Sequence, residues 1–136
     1  MKKLYHVGTY SADKIEFDKF CPYSMFGAAF YLTDSKEQAI TWARNTFTKL
    51  HPHVSLDRIR LSEFELYEPR HLDIKKSIFD DTHELTPLLD QCEQGLPHKH
   101  DIIIWRGEIS TNYAFCTERA VSRLSFVNSY PLCISY

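Results

Sequence analysis

Residues 26–49 read FGAAFYLTDSKEQAITWARNTFTK, and the fold turns on them. The run Ala28-Ala29-Phe30-Tyr31-Leu32-Thr33 is apolar and aromatic, the composition of a half-buried strand. Asp34-Ser35 follows it, a pair suited to cap a helix by accepting hydrogen bonds from unpaired backbone amides. From Lys36 to about Lys49, Ala39, Trp42, Ala43 and Phe47 recur near helical spacing. This predicts a helix with those four side chains facing the core.

The same reading extends outward. Leu4-Tyr5-His6-Val7 is a short strand closed by Gly8-Thr9, and Asp13 to Met25 is a surface loop or short helix around Cys21-Pro22. Ile59 to Leu66 alternates apolar and polar residues with one slip, a strand with a bulge. Tyr67 to Asp73 is a turn and a short strand holding Leu72. In Asp81 to Glu93, Pro87 argues for a helix start near Thr86, and Gly95-Leu96-Pro97 breaks that helix. Asp101 to Trp105 is a buried strand and Tyr113 to Cys116 another. Thr117 caps a helix over Glu118 to Leu124, with Ala120, Val121 and Leu124 inward. Ser125 to Val127 and Tyr130 to Ile134 are the last strands. Strands and helices do not alternate regularly, so the expected class is α+β, a split antiparallel β-sheet with flanking helices, in one domain over 1–136.

Composition bounds the function. With 136 residues the chain has the length of one domain, and a net charge of −2 provides no basic field for a nucleic-acid backbone. Its four glycines are Gly8, Gly27, Gly95 and Gly107. They form neither GxGxxG nor GxxxxGK[ST], so the two common glycine-rich nucleotide loops are excluded. Met1-Lys2-Lys3 runs into Leu4-Tyr5-His6 rather than an apolar segment, and no apolar run is long enough to span a bilayer. The expectation is a cytoplasmic chain with no membrane contact. Cys21, Cys92, Cys116 and Cys133 show no CxxC spacing, which favours buried thiols over a disulfide frame.

Several residues could carry chemistry. His6 ends a strand beside Gly8, where a ring nitrogen can donate to a ligand hydroxyl and a glycine lets the ligand approach the backbone. A partly buried histidine without a ligand fits the same pattern. Tyr31 could stack a flat ring or simply pack in the core. His51-x-His53 and His98-x-His100 have two imidazoles each, but they lack a third zinc ligand and sit beside prolines, so no metal is expected. Cys116 precedes a helix N-terminus, yet no triad spacing accompanies it. Arg58, Arg60, Arg70, Lys75 and Lys76 are either a local basic patch or scattered surface charges.

Leu4-Tyr5-His6-Val7-Gly8-Thr9 resembles the LYHG[ST] opening of ADP-ribosyltransferases of the diphtheria-toxin and poly(ADP-ribose) polymerase type. Phe26 to Thr33, followed by Ser35-Lys36-Glu37-Gln38-Ala39 and Trp42-Ala43, is similar to the pattern FGxGFYLT…DxEQAxxWA. That pattern marks a small bacterial toxin-like family, catalogued as a domain of unknown function and often encoded beside a short antitoxin-like protein. Phe64-Glu65-Leu66, Leu72-Asp73, Asp101 to Ile104, Phe115 to Val121 and Leu124 to Val127 resemble its later strands and closing helix. The likeness covers nearly the whole chain in the same order.

This resemblance implies an ADP-ribosyltransferase-like fold and NAD as a substrate. It implies that His6 holds the NAD ribose hydroxyls, that backbone near Val7, Gly8 and Thr9 holds the nicotinamide amide, and that Tyr31 stacks the nicotinamide. Arg44 on the following helix is a candidate for the pyrophosphate. The implied partners are a protein or nucleic-acid acceptor and an antitoxin protein. Two departures stand out. Val7 separates His6 from Gly8, and the third catalytic position, commonly Glu or Gln, aligns with Asn112. Glu108 fills that position only if the strand register shifts. No Glu-x-Glu pair stands there, which argues against arginine as the acceptor.

Overall fold

A computed structural model describes residues 2–8, 29–67, 70–76, 86–94, 98–107 and 110–131. Within them seven strands form one sheet: β1 (Lys2–Gly8), β2 (Phe30–Thr33), β3 (Arg60–Leu66), β4 (Ile74–Lys76), β5 (Ile102–Arg106), β6 (Thr111–Phe115) and β7 (Leu124–Pro131). Their order is β4-β5-β6-β2-β1-β3-β7. The class is α+β, as expected. The sheet is mixed rather than wholly antiparallel, because β4 runs parallel to β5. Parallel neighbours need a long crossover, and helix α3 (Thr86–Glu93) lies between the two strands in the chain. The sequence had placed this short strand around Leu72. The strand that forms, Ile-Lys-Lys, carries no alternation by which to read it.

The sheet is joined unevenly. β1 and β3 pair from Lys2↔Leu66 to Gly8↔Arg60, whereas β1 and β2 meet at one register pair, Tyr5↔Thr33. β1-β3-β7 and β4-β5-β6-β2 are therefore two half-sheets held by a single rung. β7 is one strand, not two. Glu63 faces Asn128 and Phe64 faces Phe126, so Val127 is an extra residue. The bulge expected on β3 thus belongs to its partner, and it lets one strand cross a stretch that read as two.

The helix after β2 begins where the sequence placed it. Ser35 is extended, and its Oγ accepts from the Gln38 amide at 3.1 Å. α1 (Lys36–Trp42) passes into a π-helical stretch, Ala43–Phe47, and then α2 (Thr48–Leu50). In an α-helix every fourth residue drifts forward around the axis. A π turn holds more residues, so the drift reverses, and Ala39, Ala43 and Phe47 all stay buried. Trp42 does not join them. It is 40% exposed, contrary to its expected place in the core.

One face of the sheet buries Leu4, Phe30, Leu32, Phe64, Ile102, Tyr113 and Phe115, with Ala120 of α4 (Glu118–Val121) packed among them. The other face carries two smaller clusters. Leu88 of α3 packs with Ala29, Ile103 and Ala114, and Ala43, Phe47 and Ile59 pack with Val7. The opening between β1 and β2 lies between these two clusters. Far from it, the fully buried Asp101 ties three segments together. Its carboxylate accepts from Arg119 Nε and Nη2 at 2.8 and 2.6 Å, from Thr117 Oγ1 at 2.6 Å and from the Asp73 amide at 2.8 Å. The Arg119 hydrogen bonds, against the opposing effect of burial, hold this carboxyl well below the usual carboxylate range.

Candidate functional site

Beyond Tyr5↔Thr33 a side chain bridges β1 and β2. His6 Nδ1 lies 2.9 Å from the Tyr31 carbonyl oxygen. A carbonyl only accepts, so Nδ1 carries the proton and Nε2 presents a lone pair. The ring is fixed on two further sides. It stacks on Phe30 with centroids 4.2 Å apart, and a Cβ added at Gly8 would lie 3.1 Å from Nε2. Gly8 therefore lets its own backbone come close to that nitrogen. Burial, only partly opposed by the bond to Tyr31, pushes the imidazole pKa down to about 4. At neutral pH His6 is an uncharged acceptor at Nε2, the reverse of the donor role expected from sequence.

A cleft of about 460 Å³ opens beside this contact, lined by residues that include Tyr5, His6, Val7, Tyr31, Thr33 and Asn112. Register and alternation explain why all of these but His6 share it. Tyr5 faces Thr33, Thr33 faces Asn112, and Asn112 faces Trp105, so one cross-strand row lies on one face of the sheet. Tyr31 is two residues from Thr33 and shares that face. Gln38, Ala39 and Trp42 of α1 form the opposite wall. Burial first, and then the Glu63 carboxylate opposite on β3, raise the Tyr5 phenol above its usual value. The described side chains lining the cleft are thus uncharged at neutral pH. They can hold a ligand by stacking and by hydrogen bonds to amides, hydroxyls and one imidazole.

Asn112 is held from two directions. Thr33 Oγ1 donates to Ser110 Oγ at 2.8 Å, and the Thr111 amide donates to Asp34 Oδ1 at 2.9 Å, which fixes the turn before β6 against the end of β2. A Cβ at Gly107 would lie 2.8 Å from Asn112 Nδ2 and 3.1 Å from the Ser110 carbonyl oxygen. The missing side chain of Gly107 is what leaves room for the Asn112 amide.

The structure therefore brings His6, Val7, Tyr31 and Asn112 to one cleft, with Gly8 against the His6 ring. Arg44 sits exposed in the π-helical stretch and does not line the cleft. Thr9, Gly27 and Glu108 lie outside the described residues. Sequence reasoning missed Tyr5, Thr33, Gln38 and Trp105 as cleft residues. Alternation along β1 and β2 would have put Tyr5 and Thr33 on one face, but the neighbour of each strand is not written in the sequence. Trp42 was seen, but assigned to the core.

The remaining candidates fall elsewhere. Burial first, then Cys92 and Asp101, push the Cys116 thiol up to about 12, the opposite of an activated nucleophile. His100 Nδ1 lies 2.6 Å from Asp73 Oδ1, and the His51 ring packs against Phe47 with centroids 4.5 Å apart. No group of three or more metal-ligating side chains gathers among the described residues. Lys75 and Lys76 lie on β4 and Arg60 on β3, with four strands between them, and Arg60 donates to Ser129. The five basic residues do not form one patch. No described helix is long and apolar enough to cross a membrane.

Residues 2–109 match the sequence profile of a family described as "Protein of unknown function (DUF3990)". The match spans β1 to β5 and includes His6 and Tyr31, and it stops short of Asn112. No curated protein matches the chain.

Proposed function

The chain belongs to the DUF3990 family, whose description assigns no activity, and from the cleft itself we propose that it binds NAD and acts as a mono-ADP-ribosyltransferase. The observation that carries this reading is the His6–Tyr31 contact. It combines an uncharged imidazole that has an acceptor nitrogen with a tyrosine ring on the same opening. Those features suit a nicotinamide riboside. Nε2 of His6 accepts from a ribose hydroxyl, Tyr31 stacks the nicotinamide, and the Asn112 amide bonds a second hydroxyl.

In this reading the bond from the ribose C1′ to the nicotinamide nitrogen breaks with its electron pair leaving on nicotinamide. The acceptor then attacks an oxocarbenium-like carbon and gives up its proton to a base of its own or to water. The protein contributes placement and preorganised dipoles rather than a covalent intermediate. The resemblance of the opening motif to ADP-ribosyltransferases supports the corresponding split-sheet fold, and the single rung between β1 and β2 fits it. The acceptor is a protein or a nucleic acid. By the same resemblance the chain is a bacterial toxin, of toxin–antitoxin or phage-defence type, or an effector, with an antitoxin as its partner.

Asn112 favours a second reading. An asparagine cannot take a proton, so the same cleft also suits a catalytically silent NAD- or partner-binding module. Labelled NAD added to purified protein in a lysate, with protease and nuclease controls, separates the two. Transfer of label, lost in His6→Ala and Tyr31→Ala, supports the transferase. Tight NAD binding without transfer supports the silent module. If NAD is neither bound nor consumed, the transferase and the NAD-binding module both fail.

A further inference from the structure

Two carboxylates are buried among the described residues, Asp101 and Glu63. Four hydrogen bonds account for the charge of Asp101. Glu63, 8% exposed in the middle of β3, stands instead beside the cleft. Its register partner on β1 is Tyr5, which lines the cleft, and directly opposed side chains of an antiparallel pair are close enough to interact. The effect reaches the phenol. Burial first, then the charge of Glu63, and last a hydrogen bond donated to that carboxylate raise Tyr5 above its usual value. Two other groups act on Tyr5: Lys3 lowers it and Tyr130 raises it. Lys3 faces Glu65 across the strands, and Lys36 lies 4.9 Å over the Tyr130 ring. On β7 Glu63 faces the uncharged Asn128.

A hydroxyl that donates its proton to a carboxylate keeps its oxygen lone pairs for another donor. Tyr5 thus gives the cleft an acceptor oxygen backed by a base. The other cleft residues do not supply one. None of the described side chains lining the cleft is a carboxylate. Asn112 cannot take a proton, and burial holds the His6 imidazole down at about 4. The Tyr5–Glu63 pair is the place, among the described residues, where a cleft side chain meets a buried carboxylate. We infer that Tyr5 and Glu63 form a relay that takes the proton of an O–H nucleophile attacking in the cleft. This rests on the transferase reading above. The nucleophile's oxygen bonds to the ribose C1′ as the C1′–nitrogen electron pair leaves on nicotinamide. Its proton passes to the Tyr5 oxygen while the Tyr5 proton passes to Glu63. Tyr5 ends neutral, as it began. Glu63 ends protonated and returns the proton to water. Tyr5 is the catalytic residue of the pair, and Glu63 acts through it.

Release of nicotinamide by the purified chain, with NAD as substrate and water as the O–H nucleophile, tests the relay. Tyr5→Phe and Glu63→Gln should each lower kcat about a hundredfold or more, the scale of general-base catalysis, and leave the KM for NAD unchanged. The two groups act in series, so the double variant should be no slower than either single one. The parent's kcat should fall at acid pH as Glu63 takes up a proton. Glu63→Gln keeps the shape without the base and should lose that fall, and Glu63→Asp should recover part of the rate. If the parent transfers label in a lysate without hydrolysing NAD, the same variants are compared on the labelled acceptor. Full kcat in Tyr5→Phe or Glu63→Gln, a loss seen only in KM, or an unchanged acid limb in Glu63→Gln overturns the relay and leaves the transferase standing. NAD bound in calorimetry but neither hydrolysed nor transferred overturns relay and transferase together and leaves the binding module. NAD left unbound overturns the NAD reading itself. If circular dichroism shows Glu63→Gln unfolded, Tyr5→Phe and Glu63→Asp decide.

Discussion

The Nδ1–H of His6 donates to the Tyr31 carbonyl oxygen at 2.9 Å, where a backbone amide would otherwise have closed the next rung between β1 and β2. One side chain thereby bridges the two strands beyond their last register pair. The same bond commits one ring nitrogen and leaves the other as an acceptor.

A titration of His6 follows from this environment. Its pKa of about 4 lies below the ordinary histidine value of 6.5. In that window the unfolded chain binds more protons than the folded one, so this group's contribution to stability is complete above about pH 6.5 and is lost as pH falls toward 4. Carbon-detected NMR of the ring should show a midpoint near 4 and Nδ1 protonation at neutral pH. A midpoint near 6.5 would contradict the buried, uncharged imidazole.

Gly107→Ala tests the support of Asn112. The added methyl meets the Asn112 amide at 2.8 Å and the Ser110 carbonyl oxygen at 3.1 Å. The amide is the mobile partner and should swing out of place. Transfer of label from NAD, if present, should drop to the level of Asn112→Ala while the melting temperature changes by only a few degrees. Full activity in Gly107→Ala would separate Asn112 placement from this contact.

Asp101→Asn should lower stability by about 2 kcal/mol, the scale of charged hydrogen bonds lost at a buried carboxylate. The sign with pH is set by a folded-state pKa below the unfolded value of about 4. The contribution is present above pH 4 and disappears as pH falls below it. Urea unfolding at pH 7 and pH 3 should show a gap between parent and variant that narrows at the lower pH. A constant gap would mean that charge is not what matters at Asp101.

Cys116, with its pKa pushed to about 12, should stay unmodified by an alkylating reagent at pH 7.5 in the folded protein and react on unfolding in urea. Cys116→Ser should retain whatever NAD-dependent activity the parent has. Rapid alkylation accompanied by inactivation would restore the thiol as a candidate nucleophile.

Much of this was legible from sequence because it is local. Ser35 caps its helix and Thr117 caps α4, both through hydroxyls accepting from amides three residues on. Ala39, Ala43 and Phe47 face inward, as their spacing predicts, with the π-helical stretch correcting the drift. What escaped reading depends on neighbours distant in sequence. The row Tyr5–Thr33–Asn112–Trp105 exists only once strand order is known. Asp101 read as the start of a strand, while its partners Asp73, Thr117 and Arg119 come from elsewhere in the chain. Trp42 was misplaced because a helical pattern assumes a uniform turn, and the turn after it is π-helical. At the candidate site, His6 and Tyr31 were named from their motifs, but the direction of the His6 hydrogen bond needed the Tyr31 carbonyl beside it.

A sheet fastened at Tyr5↔Thr33 has two sets of backbone hydrogen bonds that need not break together. Amide exchange should therefore sort into two cooperative blocks, one spanning β1, β3 and β7 and the other β2, β5 and β6. A small molecule seated across the gap would behave as a staple between them. Its arrival would be recorded as slowed exchange on both sides of the gap, far beyond the residues it touches.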